Sequence, residues 1–406
     1  MKIEEKELPK GWEVKKLGEV CEILDNLRKP INSTERQQRI LGKNQKDLFP
    51  YYGATGQVGW IDNFITNGDY ILVGEDGAPF LDLFKEKAYK ISGKTWVNNH
   101  AHILKGKKEK VLDSFVLFYL NSINYREFVN GTTRLKLTKS NLVDIPFVVP
   151  PLPEQQKIVA KIEELFSELE NGKKELLIAQ AKLKTYRQSL LKWAFEGRLT
   201  NKNLKEGELP KGWEVIALGK ACDKISLNGI KIKQKDYLQK GVFPVVDQGQ
   251  EIIGGYFNDE KLLVPSEPPY IIFGDHTKVK KFINFKFVAG ADGVKVLKPH
   301  SIYDPKFFYY LIHTVKIPDK GYARHFQFLE KKEIPLPSLS EQQKIVAILE
   351  SKLTICDAIE ETIKTSIKQG EALRQSILKK AFEGQLITPK IQKSLESNYK
   401  NKESKK

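Results

Sequence analysis

Apolar and small residues from Glu154 to Gly197 fall at Ile158, Ile162, Leu165, Leu169, Gly172, Leu176, Ala179, Leu183, Tyr186, Leu190 and Trp193. The steps alternate between four and three, which is the heptad seam of a long helix that packs on another helix. Pro150, Pro151 and Pro153 mark where that helix starts, and Gly197 is placed as its C-terminal cap. About 43 helical residues span roughly 65 Å at 1.5 Å per residue. A second seam runs from Glu341 to Gly384 through Ile345, Leu349, Cys356, Ile359, Ile363, Leu373 and Ile377, with Ser366 and Gly370 loosening its middle. The spacing predicts that the two seams bury against each other, antiparallel if a pseudo-two-fold axis crosses them. Residues 8–150 and 209–337 lack this period. Short β-rich runs such as Tyr70-Ile71-Leu72-Val73 and Tyr270-Ile271-Ile272-Phe273 lie there among Gly and Asn turn signals, which predicts mixed α/β domains.

The two helices close two copies of one plan. Leu8-Pro9-Lys10-Gly11-Trp12-Glu13-Val14 returns as Leu209-Pro210-Lys211-Gly212-Trp213-Glu214-Val215, and Glu154-Gln155-Gln156-Lys157-Ile158-Val159-Ala160 as Glu341-Gln342-Gln343-Lys344-Ile345-Val346-Ala347. The stretch between the motifs is 14 residues shorter in the second copy. Weaker echoes tie the variable stretches together: Phe49-Pro50 with Phe243-Pro244, Gly56-Gln57 with Gly249-Gln250, and Gly131 and Arg134 with Gly321 and Arg324. The expected organisation is therefore α+β: two small mixed domains, 1–152 and 209–339, at opposite ends of two long antiparallel helices, 153–197 and 340–384. A charged linker, 198–208, joins the copies, and a basic tail, 385–406, is expected to be disordered from Lys390 on.

Charge changes the picture from scaffold to ligand. A net charge of +16 and an isoelectric point near 9.3 point to a polyanion, with nucleic acid first. No run approaches the ~20 apolar residues of a membrane-spanning helix, and Met1 to Glu7 does not read as a signal peptide, so a soluble cytoplasmic protein is expected. Three cysteines, Cys21, Cys222 and Cys356, suit neither a disulfide framework nor a zinc site and read as core. The histidines show no metal-ligand spacing, and His100 and His102 fit a surface or packing role.

Catalytic constellations are weak. Ser266-Glu267-Pro268-Pro269-Tyr270 resembles the signature with which amino-methyltransferases grip a target base, but Glu267 stands at its first position and no glycine-rich cofactor loop accompanies it. Gly74-Glu75-Asp76-Gly77 pairs two carboxylates and Asp275-His276 an acid with a base, yet neither pair recurs in the other copy, and no P-loop or Gly-x-Gly-x-x-Gly motif is present. Binding is the stronger reading, with no catalytic residue and no metal site. Two domains on a basic chain suit two half-sites of duplex DNA. Lys43, Lys46, Lys136, Lys139, Lys278, Lys280 and Lys281 are candidates to hold phosphates. Thr55, Gln57, Asn98, Asn99, Arg134, Gln248, Gln250, His276, Arg324 and His325 are candidates to read base edges.

The entry motif Leu-Pro-x-Gly-Trp-x-x-x-x-Leu-Gly (Leu8 to Gly18, Leu209 to Gly219) resembles that of the specificity subunits of Type I restriction-modification systems. So do Pro151 to Ile158, echoed by Leu339 to Ile345, and a long helix ending in Ala-Phe-Glu-Gly at Ala194 to Gly197 and Ala381 to Gly384. Ser338 and Ser340 depart from the pattern where the first copy has Pro151 and Pro153. The resemblance implies that each variable domain is a target recognition domain for one half of a bipartite DNA site. It implies helices that set the spacer and dock two modification subunits, which carry S-adenosylmethionine and methylate adenine, and restriction subunits that use ATP with Mg. This chain would itself bind no cofactor. A self-contained adenine methyltransferase and a protein-binding coiled-coil adaptor are the alternatives.

Overall fold

Two 44-residue helices, Leu152–Phe195 and Leu339–Phe382, carry the predicted heptads. The computed structural model describes residues 8–387 except 202, 319 and 322. The expected lysine-rich tail from Lys390 lies outside the described residues. The chain forms two compact units, Met1–Leu176 with Lys364–Lys406, and Leu177–Ile363, so each long helix belongs partly to one and partly to the other.

In the first unit, strand Glu13–Lys16 runs antiparallel to Pro146–Val149, which delivers the chain into the first long helix. Between them lie two four-stranded sheets. One is antiparallel, in the order Cys21–Ile23, Ala101–Gly106, Tyr70–Gly74, Ala88–Ile91; the other is mixed, in the order Gly56–Ile61, Phe49–Gly53, Lys94–Val97, Thr66–Asn67. The second unit repeats the plan: Glu214–Ala217 pairs with Glu333–Leu336, and Cys222–Ile225, Val294–Pro299, Tyr270–Gly274 and Lys280–Ile283 form the antiparallel sheet. Tyr70–Gly74 and Tyr270–Gly274 are central strands and are almost continuously apolar and buried, as strands covered on both faces must be. Cys21, Cys222 and Cys356 are buried free thiols, and burial pushes the first two up to about 12.

The repeated Glu-Gln-Gln motif has a specific job. Gln155 and Gln342 are fully buried. The Gln155 amide donates to the carbonyls of Lys110 and Pro150 at 3.0 and 2.8 Å and accepts from Leu112 N–H at 3.0 Å. Gln342 does the same with Ile302, Pro337 and Asp304, at 2.9, 2.8 and 2.7 Å. Each glutamine thus joins its helix start to the loop before the domain helix, Asp113–Ser122 or Pro305–Thr314.

Within the first unit the start of the first long helix packs on the end of the second. Ile158, Ile162 and Phe166 share a core with Ile377, Leu378 and Phe382, and the ring of Phe382 meets Phe115 and Tyr119 edge-on, each at 5.1 Å between centroids. The segments run antiparallel: Arg374 lies 4.1 Å from the Phe166 ring centroid, while Lys173 pairs with Glu371 at 3.8 Å. The second unit mirrors this. Leu190, Ala194 and Phe195 pack with Ile345, Leu349 and Cys356, Phe195 meets Phe307 edge-on at 5.1 Å, and Arg187 holds Asp357 and Glu360 at 2.6 and 3.0 Å.

Along the first seam Leu165, Leu169, Leu176 and Leu183 are half-buried, whereas Gly172, Ala179, Tyr186 and Trp193 are exposed. Two residues of the second seam are corrected. Ile359 is 44% and Leu373 50% exposed, because the buried row advances through Cys356, Ile363 and Ile377 with Gly370 and Arg374 between them. The Arg374 guanidinium, laid over the Phe166 ring, takes the place assigned to Leu373.

Each Ala-Phe-Glu-Gly end meets an entry motif. Gly197 and Gly384 have φ of +76° and +71°, and a Cβ on either would stand 2.2 Å from Cγ of Pro210 or Pro9. Gly197→Ala is therefore expected to cost about 1–3 kcal/mol, from a left-handed backbone plus a clash. Gly172→Ala, in the same helix with open space around its Cβ, is expected to stabilise by about 0.5–1 kcal/mol. Chemical denaturation of both variants checks this, and shifts of the same sign contradict it.

Candidate nucleic-acid interface

In both domains the central strand ends in a glycine and turns. In the first domain the turn is Gly74-Glu75-Asp76-Gly77, and it gathers basic side chains from three segments. Asp76 Oδ1 accepts from Arg134 Nη2 and His100 Nδ1, both at 2.7 Å. Lys136 Nζ lies 3.0 Å from Glu75 Oε1, and Arg28 Nη1 donates to Glu75 Oε2. The backbone closes the same cluster, with Leu137 N–H donating to the Glu75 carbonyl at 2.7 Å. The hairpin tip at Ala54 and Thr55 stands against it, since a Cβ on Gly74 would lie 3.0 Å from the Ala54 carbonyl oxygen.

Beneath this surface lies a buried ionic layer. His102, fully buried, bonds Asp25 Oδ2 through Nδ1 at 2.8 Å and the Leu137 carbonyl through Nε2 at 2.9 Å. Arg28 Nη2 reaches Asp25 Oδ2 at 3.1 Å. Burial alone pushes the Asp25 carboxyl up, but the His102 bond and charge, Arg28 and the Ile103 N–H outweigh it and hold the group below its ordinary range. Glu75 is likewise lowered: burial opposes, and Arg28, Lys136 and His102 prevail. His100 and His102 thus have different places, one at the surface and one in the core.

In the second domain the turn follows Gly274 and is built from different chemistry. Gln248 Oε1 accepts from His276 N–H at 3.2 Å, and the Gln248 carbonyl accepts from the Thr277 hydroxyl at 2.8 Å. Asp275 is buried; its Oδ1 accepts from Phe326 N–H at 2.8 Å, and Lys295 approaches Oδ2 at 3.4 Å. Lys278 stands in the left-handed region at φ +60°.

The predicted contact residues separate accordingly. Thr55, Asn99, Arg134 and Lys136 come together at the first turn, and Gln248, His276 and Lys278 at the second. Gln57 and Gln250 are exposed near their hairpins, Gln57 hooking back to the Gly59 carbonyl at 3.1 Å. Arg324 is exposed on the segment leading to Phe326, and Lys139 is exposed where the helix Lys139–Val143 starts. Lys43 pairs with Asp62 at 2.8 Å and, with the exposed Lys46, stays outside the first cluster.

Three candidates are spent inside the fold. Asn98 is buried, with Oδ1 accepting from His100 N–H at 2.8 Å. His325 is fully buried against the Asp275 carbonyl at 3.0 Å. Lys281 is 2% exposed, and its ammonium, lowered by burial, donates to the carbonyls of Asp247 and Glu251. Lys280, half-buried, is lowered first by burial and then by Lys278. Conversely, Asp76 and His100 join the surface although sequence reasoning did not place them in a binding site. The paired carboxylates after a buried apolar strand were the available signal.

The Asp25 layer makes stability pH-dependent. A carboxyl lowered on folding stabilises the fold above its unfolded value, near 3.8, and loses that contribution as pH falls through the folded value. Asp25→Asn, which strands His102 and Arg28, is expected to cost about 3 kcal/mol at neutral pH and to flatten the loss of stability below about pH 4. Denaturant unfolding from pH 7 to 3 checks this; an acid limb as steep as the parent's contradicts it.

The two-fold plan recurs in other proteins. The Type I restriction modification DNA specificity domain matches residues 9–179 and again 210–369. A putative type I restriction enzyme specificity subunit from Haemophilus influenzae is 28% identical over 400 residues, which is 90% of this chain and 94% of that one. The HsdS subunit from Thermoanaerobacter tengcongensis superposes with a TM-score of 0.56 at 21% identity, over 95% of this chain and 100% of the other. A chain from a study of complex assembly and conformational transition of the type I restriction-modification system gives 0.67 at 20%, over 93% and 99%. With both copies of its repeat matched, the chain belongs to the family of Type I restriction-modification DNA specificity subunits.

Proposed function

We propose that this chain is the DNA-sequence-specificity subunit of a Type I restriction-modification complex. Its domains 1–152 and 209–339 are target recognition domains, each reading one half of a bipartite duplex site. The observation that carries this is the recurrence of one turn, after Gly74 and after Gly274, at which each copy gathers different polar and basic side chains. Unlike surfaces on like frames suit unlike half-sites. The readers are Thr55, Gln57, Asn99 and Arg134 in the first domain and Gln248, Gln250, His276 and Arg324 in the second. Lys136, Lys139 and Lys278 are phosphate contacts, with Lys43, Lys46 and Lys280 as further phosphate-holding groups.

The paired helices set the spacer and dock two modification subunits, which supply S-adenosylmethionine chemistry; restriction subunits with ATP and Mg complete the complex. Leu177, Ile178, Tyr186 and Trp193 on the first helix and Ile355 and Ile359 on the second are exposed apolar side chains suited to that docking. The chain itself contributes recognition rather than catalysis, in a cytoplasmic complex. Among the described residues no helix is long and apolar enough to cross a membrane. The self-contained methyltransferase reading loses its support at Tyr270, whose ring is fully buried edge-on to Phe287 at 5.3 Å and could not grip a base.

Mobility shifts of the chain with its modification partner are expected to find one interrupted site. Affinity should fall with salt at about −0.9 in log–log slope per neutralised phosphate. Salt-independent binding, or an uninterrupted site, contradicts the proposal.

A further inference from the structure

We infer that Asp76, Arg134 and His100 form a preorganised reader of a guanine in the half-site of the first domain, with Arg134 as the base-contacting group and Asp76 as its positioning residue. The inference rests on the DNA-reading role proposed above.

Arg134 is the exposed member: its side chain is 63% accessible, against 20% for Asp76 and 41% for His100. An ion pair that open adds little to stability, so a structural role accounts poorly for the arrangement. What the pair does is fix a long side chain before any ligand arrives, removing an ordering cost from binding. The platform under it is firm. Gly131 has φ +97°, and a Cβ there would stand 2.6 Å from the Arg134 carbonyl oxygen. Gly77, at φ +71°, lets the guanidinium lie close over the turn, 3.6 Å from where a Cβ would be. Asp76 also bridges to Lys136 across the backbone.

The donor pattern selects the base. A guanidinium offers five N–H groups in a plane, and Asp76 takes one on Nη2, which leaves donors for a planar partner with two acceptors. Guanine presents two adjacent acceptors, O6 and N7, in the major groove; adenine presents an acceptor and a donor. A carboxylate at a DNA surface would be repelled by phosphate if bare, but Asp76 is covered by two basic groups. In the second domain Arg324 echoes Arg134, but His276 stands where the first domain has Asp76, and Asp275 is buried on the Phe326 N–H, so the carboxylate-positioned reader belongs to one half-site alone.

The test uses the chain with its modification partner and duplexes in which each G·C pair of the bipartite site is replaced in turn by A·T. The parent is expected to lose about ten-fold or more in affinity at one G·C pair of one half-site. Arg134→Ala and Arg134→Lys are expected to lose that discrimination and leave the other half-site unchanged. Arg134→Lys keeps the parent's salt slope because it keeps the charge. Asp76→Asn is expected to lose part of the discrimination at an unchanged melting temperature, which a purely structural role would not produce. Retained discrimination in Arg134→Lys overturns the inference. So does a uniform weakening on all duplexes in Arg134→Ala with a salt slope smaller by about one, the mark of a phosphate contact. A parent complex indifferent to every replacement overturns the DNA-reading proposal itself, and this inference with it.

Discussion

The fold depends on two buried amides. Gln155 and Gln342 each make three hydrogen bonds in a site closed to water, and each joins the exit of the terminal strand pair, the loop before the domain helix and the first turn of a long helix. Leaving such a set of buried groups unpaired costs about 1–3 kcal/mol per group, far more than the bonds add when made. No hydrophobic residue could substitute, because the three backbone groups would remain unsatisfied. That constraint explains why the motif recurs while the sheets beyond it diverge. It fixes the angle at which a recognition domain leaves its helix and leaves the loops free.

The other end of each helix is held by apolar contacts. Phe382 and Phe195, from the two Ala-Phe-Glu-Gly ends, insert edge-on against Phe115 and Phe307, and the capping glycines lie against Pro9 and Pro210. Each unit therefore contains one helix start and one helix end. The chain closes on itself in equivalent ways in the two units, each of which inserts its own pair of four-stranded sheets.

Much of this was legible in the sequence because heptads, prolines and capping glycines act locally. The helix limits follow from Pro150, Pro153, Gly197 and Gly384, whose backbone restrictions need no partner. The second seam was legible only in part. Leu373 is a better core residue than Arg374 by composition, but Phe166 on the facing segment offers its ring to the guanidinium, and helix rotation follows the partner. The site was legible by residue type and not by fate. Asn98, His325 and Lys281 have the chemistry of contact residues, yet all three are spent on backbone groups: Asn98 on the His100 N–H two residues on, and His325 and Lys281 on carbonyls distant in sequence. Asp76 shows the converse. Its carboxylate became meaningful once Arg134 and His100, far apart in the chain, proved to share one of its oxygens.

The copies differ most where this matters. Between the central strand and the next one the first domain has residues 75–87 and the second only 275–279, so the turn that gathers the readers is also where much of the length difference lies. A scaffold held by Gln155 and Gln342 should tolerate replacement of everything between its strand pairs. The most direct measurement is to replace residues 20–143 with the matching segment of another family member and map the methylated adenines in cells. One half of the modified site should change while the other half and the gap stay fixed. An unchanged site, or a change in both halves, would contradict the account.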